Sequence, residues 1–358
     1  MRVLKPMLSP EQRKETRKMK RTPLPTVYLL TRLFMAVTCL CGIMLAGGPT
    51  VADGNPSGRF RVAAVQCYLR FYNTAEEFST EMTRLVEKAM ATSPQLIVFP
   101  EHIGTPLVAM GHVRDPQDAP AIELAMLSIL DAEQEKVQAI VAQHQVSAMR
   151  ALLMSREAEM REAYLGTFSN LAKKHEVYIM TGSTSLPEPE DSTQVSNVAY
   201  IINPEGEVVG FQRKVHLLDT EGQGGLDLVP GTLEELKVFE TPFGKLGIAI
   251  CLDCFHVDVV NRLVELGAEF LIDPAANPKL FTENEQKTNL TSLYSRVREV
   301  NRPGVQCFAV GDLAGMPFRG KTWVLSPPAV VNGETSIDAM AQSDDREEII
   351  SAVVTLVR

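Results

Sequence analysis

From Gly58 onward, short apolar runs alternate with longer stretches in which apolar residues recur every three or four positions. The first run, "RFRVAAVQCYL", is apolar and β-branched enough to predict a strand. In "TAEEFSTEMTRLVEKAMAT", Phe78, Met82, Leu85, Val86 and Met90 share one helical face, and Thr74 with Glu77 forms a Thr-x-x-Glu start signal. "QLIVFPE" is continuously apolar, as a buried strand is, while "YLGTFSNLAKKHEV" and "YIMTGST" read as a helix and a strand. "NVAYIINPEGEVVGFQRK" predicts a hairpin turned at Pro204–Gly206. The same alternation continues with "FGKLGIAIC" as a strand, "HVDVVNRLVELGA" as a helix and "EFLIDPAA" as a strand. "NLTSLYSRVREVNRP" is predicted as one helix, and "VQCFAVGD", "KTWVLSP" and "EEIISAVVTLV" as strands. Strands alternating with helices define an α/β domain over residues 58–358. One stretch differs: between Glu101 and Tyr164 the chain is rich in Met, Ala, Gln and Glu at helical spacing. It predicts a helical insertion at about 104–163, read first as packed helices and alternatively as a lid or a partner surface.

Composition changes this picture only at the N-terminus. The 358 residues, 45% hydrophobic and 22% charged, are those of an ordinary globular protein with length for a closed core. The formal charge of −9 gives no reason to expect nucleic acid or an anionic membrane as partner. Residues 1–52, however, hold nine Lys and Arg against Glu11 and Glu15, leaving 26 basic and 42 acidic residues for the remainder. The basic stretch is followed by the apolar run Leu33 to Ala46 and then by small residues in "GGPTVADG". That order predicts a signal peptide or membrane anchor, hence an exported or anchored protein; a cytoplasmic protein follows if this segment is a mis-assigned start. Of six cysteines, Cys67, Cys251, Cys254 and Cys307 lie beyond the segment, too few for a disulfide scaffold.

Three reactive residues each close an apolar run: Glu101 in "PQLIVFPE", Lys214 in "GEVVGFQRK" and Cys251 in "GKLGIAIC". A thiol, a carboxylate and an ammonium are the ingredients of covalent acyl chemistry: nucleophile, proton carrier and stabiliser of developing negative charge. Each has a plainer reading, as a strand-end charge, a solvated hairpin lysine or a buried structural thiol. Cys251 and Cys254 form a Cys-x-x-Cys, but no second pair exists and His256 alone does not complete a zinc tetrad. His216 and His256 read as surface or supporting residues rather than ligands. No Gly-rich phosphate loop, serine elbow or His-Glu-x-x-His appears, so neither nucleotide, cofactor nor metal is expected.

Taken in order, "RFRVAAVQ", "LIVFPE", "FSNLAKKHEVYIMTGS", "SNVAYIINPEGEVVGFQRKVHL", "PFGKLGIAICLD" and "LVELGAEFLIDPAANP" resemble the motifs of the carbon–nitrogen hydrolase (nitrilase/amidase) superfamily over about residues 60–325. The resemblance implies a four-layer α-β-β-α sandwich of the nitrilase type, often assembled as a homodimer or higher homo-oligomer. It implies Cys251 as nucleophile, Glu101 as general base, Lys214 and the backbone N–H of Leu252 as oxyanion stabilisers, and an ammonium that lowers the thiol pKa. A second family glutamate follows the lysine; Glu221 and Asp227 are the available acids, and Glu221 is the choice. The sequence departs from the family after the nucleophile, where "CLDCFHVD" keeps Asp253 but lacks the usual Arg and Pro. The expected function is an amidase or N-carbamoyl amidohydrolase acting on a small amide-type substrate through a cysteine acyl-enzyme. The alternatives are a nitrilase using the same residues and a catalytically quiet exported binding or scaffold protein of the same fold.

Overall fold

The computed structural model describes residues 58–113, 119–188, 190–328 and 335–357; the leader predicted over 1–52 lies outside them. Its organising element is β1 (Arg59–Tyr68), which takes part in two half-sheets. Val62–Ala64 run parallel to β2 (Leu96–Val98), and Arg59–Gln66 pair antiparallel with the late strand Glu348–Thr355. Only Cys67 and Tyr68, at the far end of β1, pair with Ala309 and Val310 of the strand Gly304–Leu313. On the β2 side the order continues through β3 (Tyr178–Pro187), β4 (Val195–Ile202) and β5 (Val208–Arg213). The second half-sheet runs from β6 (Val238–Thr241) through β7 (Gly244–Ile248) and β8 (Phe270–Ala276) to β9 (Gly304–Leu313). Three further strands, β10 (Met316–Phe318), β11 (Trp323–Ser326) and β12 (Ser336–Met340), extend it from β9, and the late strand beside β1 is β13.

The side-chain period of two along each strand sorts the core into three. Phe60, Val62 and Ala64 of β1 meet Ile248, Ile272 and Val305 in a core between the half-sheets. Ala63, Val65 and Cys67 face the other way, against helices α1 (Ala75–Met90) and the long helix Glu157–His175. Val259, Val260 and Leu263 form a third core on the outer face of the second half-sheet, with Val297 and Trp323. The result is the expected α-β-β-α layering. Helix α1 shows why the pattern holds: Phe78, Met82, Leu85, Val86 and Ala89 are buried, and the Thr74 side chain accepts the Glu77 N–H at 3.1 Å. Such a cap contributes about 1 kcal/mol.

In the Met- and Ala-rich stretch, α2 (Ile122–Ala132), α3 (Gln134–His144) and α4 (Ala148–Ser155) precede α5 (Glu157–His175). Ala125, Ile129, Leu152 and Leu153 join the same outer core as α1 and α5. No helix among the described residues is long and apolar enough to cross a membrane. One expectation fails. The helix predicted over "NLTSLYSRVREVNRP" is broken: after α6 (Val257–Glu265), α7 (Glu283–Asn289) passes into a distorted turn at Leu290–Tyr294 before α8 (Ser295–Val300). Ser292 departs from helical geometry with φ −91° and ψ −131°. Hydroxyls crowd this turn: Thr291 donates to the Thr288 carbonyl, Ser292 to Asn289 and Ser295 to Leu290. Side chains that compete for helix carbonyls bend or open the helix, which apolar periodicity alone does not reveal.

Candidate active site

The strands that carry Glu101 and Cys251 stop earlier than their apolar runs suggest, at Val98 and Ile248, so both residues sit in turns just beyond. Gly182 lets β3 cross close to the first turn: it has φ +75°, and a Cβ there would lie 2.1 Å from the Pro100 carbonyl oxygen. His102 follows in a left-handed conformation, φ +59°, its N–H donating to Ser183 Oγ at 3.0 Å. Lys214 directly follows β5 and is held to β4 by its N–H, which donates to the Asn197 carbonyl at 2.9 Å. Cys251 also lies in the left-handed region, φ +51°, uncommon for a residue with a Cβ. Its N–H donates to Asp273 Oδ1 of β8 at 3.0 Å, which fixes the turn on the neighbouring strand.

These elements converge. Lys214 Nζ donates to Glu101 Oε1 at 2.7 Å and to Glu221 Oε2 at 2.6 Å. Asn197 Nδ2 bridges the same two carboxylates, at 3.0 Å from Glu101 Oε1 and 2.8 Å from Glu221 Oε1. Glu101 Oε2 accepts the Ala276 N–H at 2.9 Å, while Cys251 Sγ lies 3.9 Å from the Ala276 carbonyl oxygen. A single residue at the end of β8 thus joins the carboxylate and the thiol. Glu101 and Lys214 are 1% exposed and Glu221 2%. Cys251 opens onto a cavity of about 440 Å³, which Leu252 also lines.

Burial opposes the charge on Lys214, but Glu101, Cys251 and Glu221 outweigh it and hold the pKa well above the ordinary lysine range. Glu221 also resists its burial: hydrogen bonding and charge from His102 and Lys214 keep it well below the usual carboxylate range. Cys251 behaves contrary to expectation. Burial, followed by the Glu101 charge, raises the thiol more than Lys214 lowers it, so its pKa stands well above the ordinary value. Taking the thiolate out of water, beside the Glu101 charge, costs more than the Lys214 ammonium returns.

Of the residues singled out in the sequence, Glu101, Lys214, Glu221 and Cys251 come together, and Leu252 follows Cys251 in the turn Cys251–Phe255. Asp227, the other available acid, instead pairs with Arg150 NH2 at 2.9 Å. Asp253 is fully buried and accepts the N–H groups of Val215, His216 and Ile250, tying the loop after Lys214 to the approach to Cys251; burial pushes it up to about 6. The four described cysteines are free, and Cys254 faces the Ala249 carbonyl at 3.5 Å. Sequence reasoning missed His102, whose Nε2 lies 3.5 Å from Glu221 Oε1 and 3.8 Å from Glu101 Oε1, and also missed Asn197 and Asp273. A His placed directly after the predicted acid was the one available signal.

Among the described residues, two groups could offer three donor atoms to a metal: Glu101, His102 and Glu221, and on the surface His216, His256 and Asp258. In the first, the Lys214 ammonium already answers both carboxylates. In the second, the two imidazoles stack with centroids 3.7 Å apart, and His216 Nε2 lies 3.1 Å from Asp258.

The chain is 32% identical over 114 residues to omega-amidase NIT2 of Xenopus tropicalis, a stretch covering 30% of this chain and 40% of that protein. It is 34% identical over 120 residues to deaminated glutathione amidase of Rattus norvegicus, covering 31% and 36% respectively. The matched stretches therefore span about two fifths of these relatives or less. Among solved structures, an amidase from Nesterenkonia sp. AN1, a double mutant in complex with acrylamide, superimposes with a TM-score of 0.59 at 18% identity, covering 84% of this chain and 92% of that one. A carbon–nitrogen hydrolase from Helicobacter pylori G27 gives 0.58 at 21% identity, covering 84% and 90%. These likenesses carry the fold, and the sequence profile described as carbon-nitrogen hydrolase extends over residues 61–331, through every strand that positions Glu101, Lys214 and Cys251. By that match, which takes in most of its length, the chain belongs to the carbon–nitrogen hydrolase family.

Proposed function

We propose that the protein is an amidase that cleaves a small, non-peptide C–N bond through a Cys251 acyl-enzyme. The observation that carries this reading is the sharing of Ala276: its N–H holds Glu101 and its carbonyl faces the Cys251 sulfur, so base and nucleophile address one point. The mechanism follows from the electrostatics. Because the thiol is raised, it rests protonated, and its proton passes to Glu101 as the sulfur attacks the amide carbon. The oxyanion is stabilised by the Lys214 ammonium and the Leu252 N–H. Collapse of the adduct expels the amine or ammonia, which takes the proton from Glu101 and leaves a thioester on Cys251. Water then attacks the thioester, giving its proton to Glu101; the thiolate leaves, regains that proton, and the acid is released.

The omega-amidase and the deaminated glutathione amidase support amide, and a probable nitrilase of Schizosaccharomyces pombe, 31% identical over 194 residues, supports nitrile as the second reading. The test is ammonia release by the full-length protein from a panel of amides, N-carbamoyl amino acids and nitriles, beside Cys251→Ala. Release from amides that disappears in Cys251→Ala is the expected result. Release from nitriles alone would replace amidase by nitrilase. Equal release by both proteins would overturn the cysteine mechanism.

A further inference from the structure

The cavity beside Cys251 is lined by three carboxamides from three elements: Asn277 just after β8, Asn289 at the end of α7 and Gln306 on β9. Each keeps one buried polar atom without a hydrogen-bond partner among the described residues: Asn277 Nδ2, Asn289 Nδ2 and Gln306 Oε1. Gln306 is 1% exposed and Asn289 6%. Buried polar groups are nearly always paired, so three orphans on one cavity call for an explanation. Gln306 is locked in place, its Nε2 donating to Asp273 Oδ2 at 2.7 Å and to Ser292 Oγ at 3.0 Å, which commits the donor side and leaves the acceptor. Asn289 stands where α7 breaks.

The charged lining narrows the ligand further. Lys279 Nζ lies 3.3 Å from Glu285 Oε1, which neutralises that pair and leaves Asp219 as the remaining charge of the lining. Behind Cys251, Glu101 and Glu221 share one lysine. A substrate carboxylate would therefore enter a field with excess negative charge. Leu218, Leu252, Phe255 and Phe308 supply apolar wall.

We propose that this cavity recognises an amide substrate whose acyl chain carries a second, neutral carboxamide-like group beyond an apolar spacer. A carboxamide offers both N–H and C=O, so it matches unpaired donors and an unpaired acceptor whichever way each asparagine amide is turned. The inference rests on the amidase reading and names its substrate class.

The test compares glutaramide, glutaramate and valeramide, which share chain length and differ at the far end. For the full-length protein, kcat/KM for glutaramide is expected to exceed both others by about tenfold, mainly through KM. Asn289→Leu should shrink the advantage of glutaramide over valeramide to about threefold or less, and Asn277→Ala provides a second variant should the first not fold. Glutaramate as the best substrate, or valeramide equal to glutaramide, overturns the inference while leaving the amidase reading standing. Should none of the three be turned over, calorimetric binding to Cys251→Ala decides. Tighter binding of glutaramide than of the other two supports the inference, and equal binding refutes it.

Discussion

Two clusters of charge sit on the same half-sheet and are built in opposite ways. At one edge, Arg84 of α1 bonds both Glu81, at 2.9 Å, and Glu347, at 2.9 Å, while Lys88 reaches Glu347 at 2.8 Å. With Arg70 NH1 3.9 Å from Glu81, three cations face two anions, Arg84 40% and Lys88 55% exposed. In the site, two carboxylates share Lys214, with all three side chains at most 3% exposed, and His102 Nε2 lies 3.5 Å from Glu221 Oε1. The first cluster has a cation to spare and is wet, and it fastens α1 to the approach to β13. The second is dry and one charge short of balance. Imbalance in a low-dielectric site costs stability.

The contrast breaks most sharply at Lys214. Lys214→Met leaves Glu101 and Glu221 facing one another without a cation, and urea unfolding should register a loss of about 3–5 kcal/mol together with loss of hydrolysis. A variant of near wild-type stability would show that the buried cluster is not held by its lysine. Glu101→Gln removes the proposed proton acceptor while keeping the side chain's size, and kcat should fall by about 10²–10⁴-fold with the thermal midpoint little changed. His102→Gln sharpens the comparison: it removes the imidazole that lies 3.5 Å from Glu221 Oε1, and kcat should fall by up to about tenfold. An unchanged kcat would reduce His102 to a spacer. The smallest effect belongs to the exposed cluster. Burial raises Glu347, but the bonds from Arg84 and Lys88 outweigh it and bring its pKa from 4.5 down to about 2. Its contribution to stability is therefore present above about pH 4.5 and lost as pH falls toward 2. Glu347→Gln should flatten that acid limb by about 1 kcal/mol or less, because solvent screens the pairs, and leave hydrolysis untouched.

The difference between the clusters also marks what was legible in the chain. Glu101, Lys214 and Cys251 stand out because each punctuates an apolar run, and Glu221 because few acids follow the lysine. Asn197 and Asp273 lie inside strands that otherwise read as apolar, so nothing local distinguishes them from tolerated polar residues. Their roles appear only when Asn197 meets Glu101 across 96 residues of sequence and Asp273 meets Cys251 across 22. The alternation of strands and helices was legible because its periodicities are local, and the four-layer arrangement through the family resemblance. The direction of the thiol shift was not legible, since burial and the Glu101 charge decide it against Lys214, and both appear only once the chain is folded.

The passage of β1 from one half-sheet to the other has a consequence for how the protein matures. Glu101 and Lys214 ride on the half-sheet of β2 to β5, whereas Cys251, Asp273 and Ala276 belong to that of β7 to β9. β1 is also zipped along Arg59–Gln66 by β13, the last strand of the domain. The proposed base and nucleophile are thus strangers until pairings of long sequence separation close, and such pairings form slowly. A partly synthesised or partly folded chain would carry the thiol without Glu101 beside it, so on the proposed mechanism onset of hydrolysis during refolding should coincide with docking of β13 and serve as a clock for the last step of assembly.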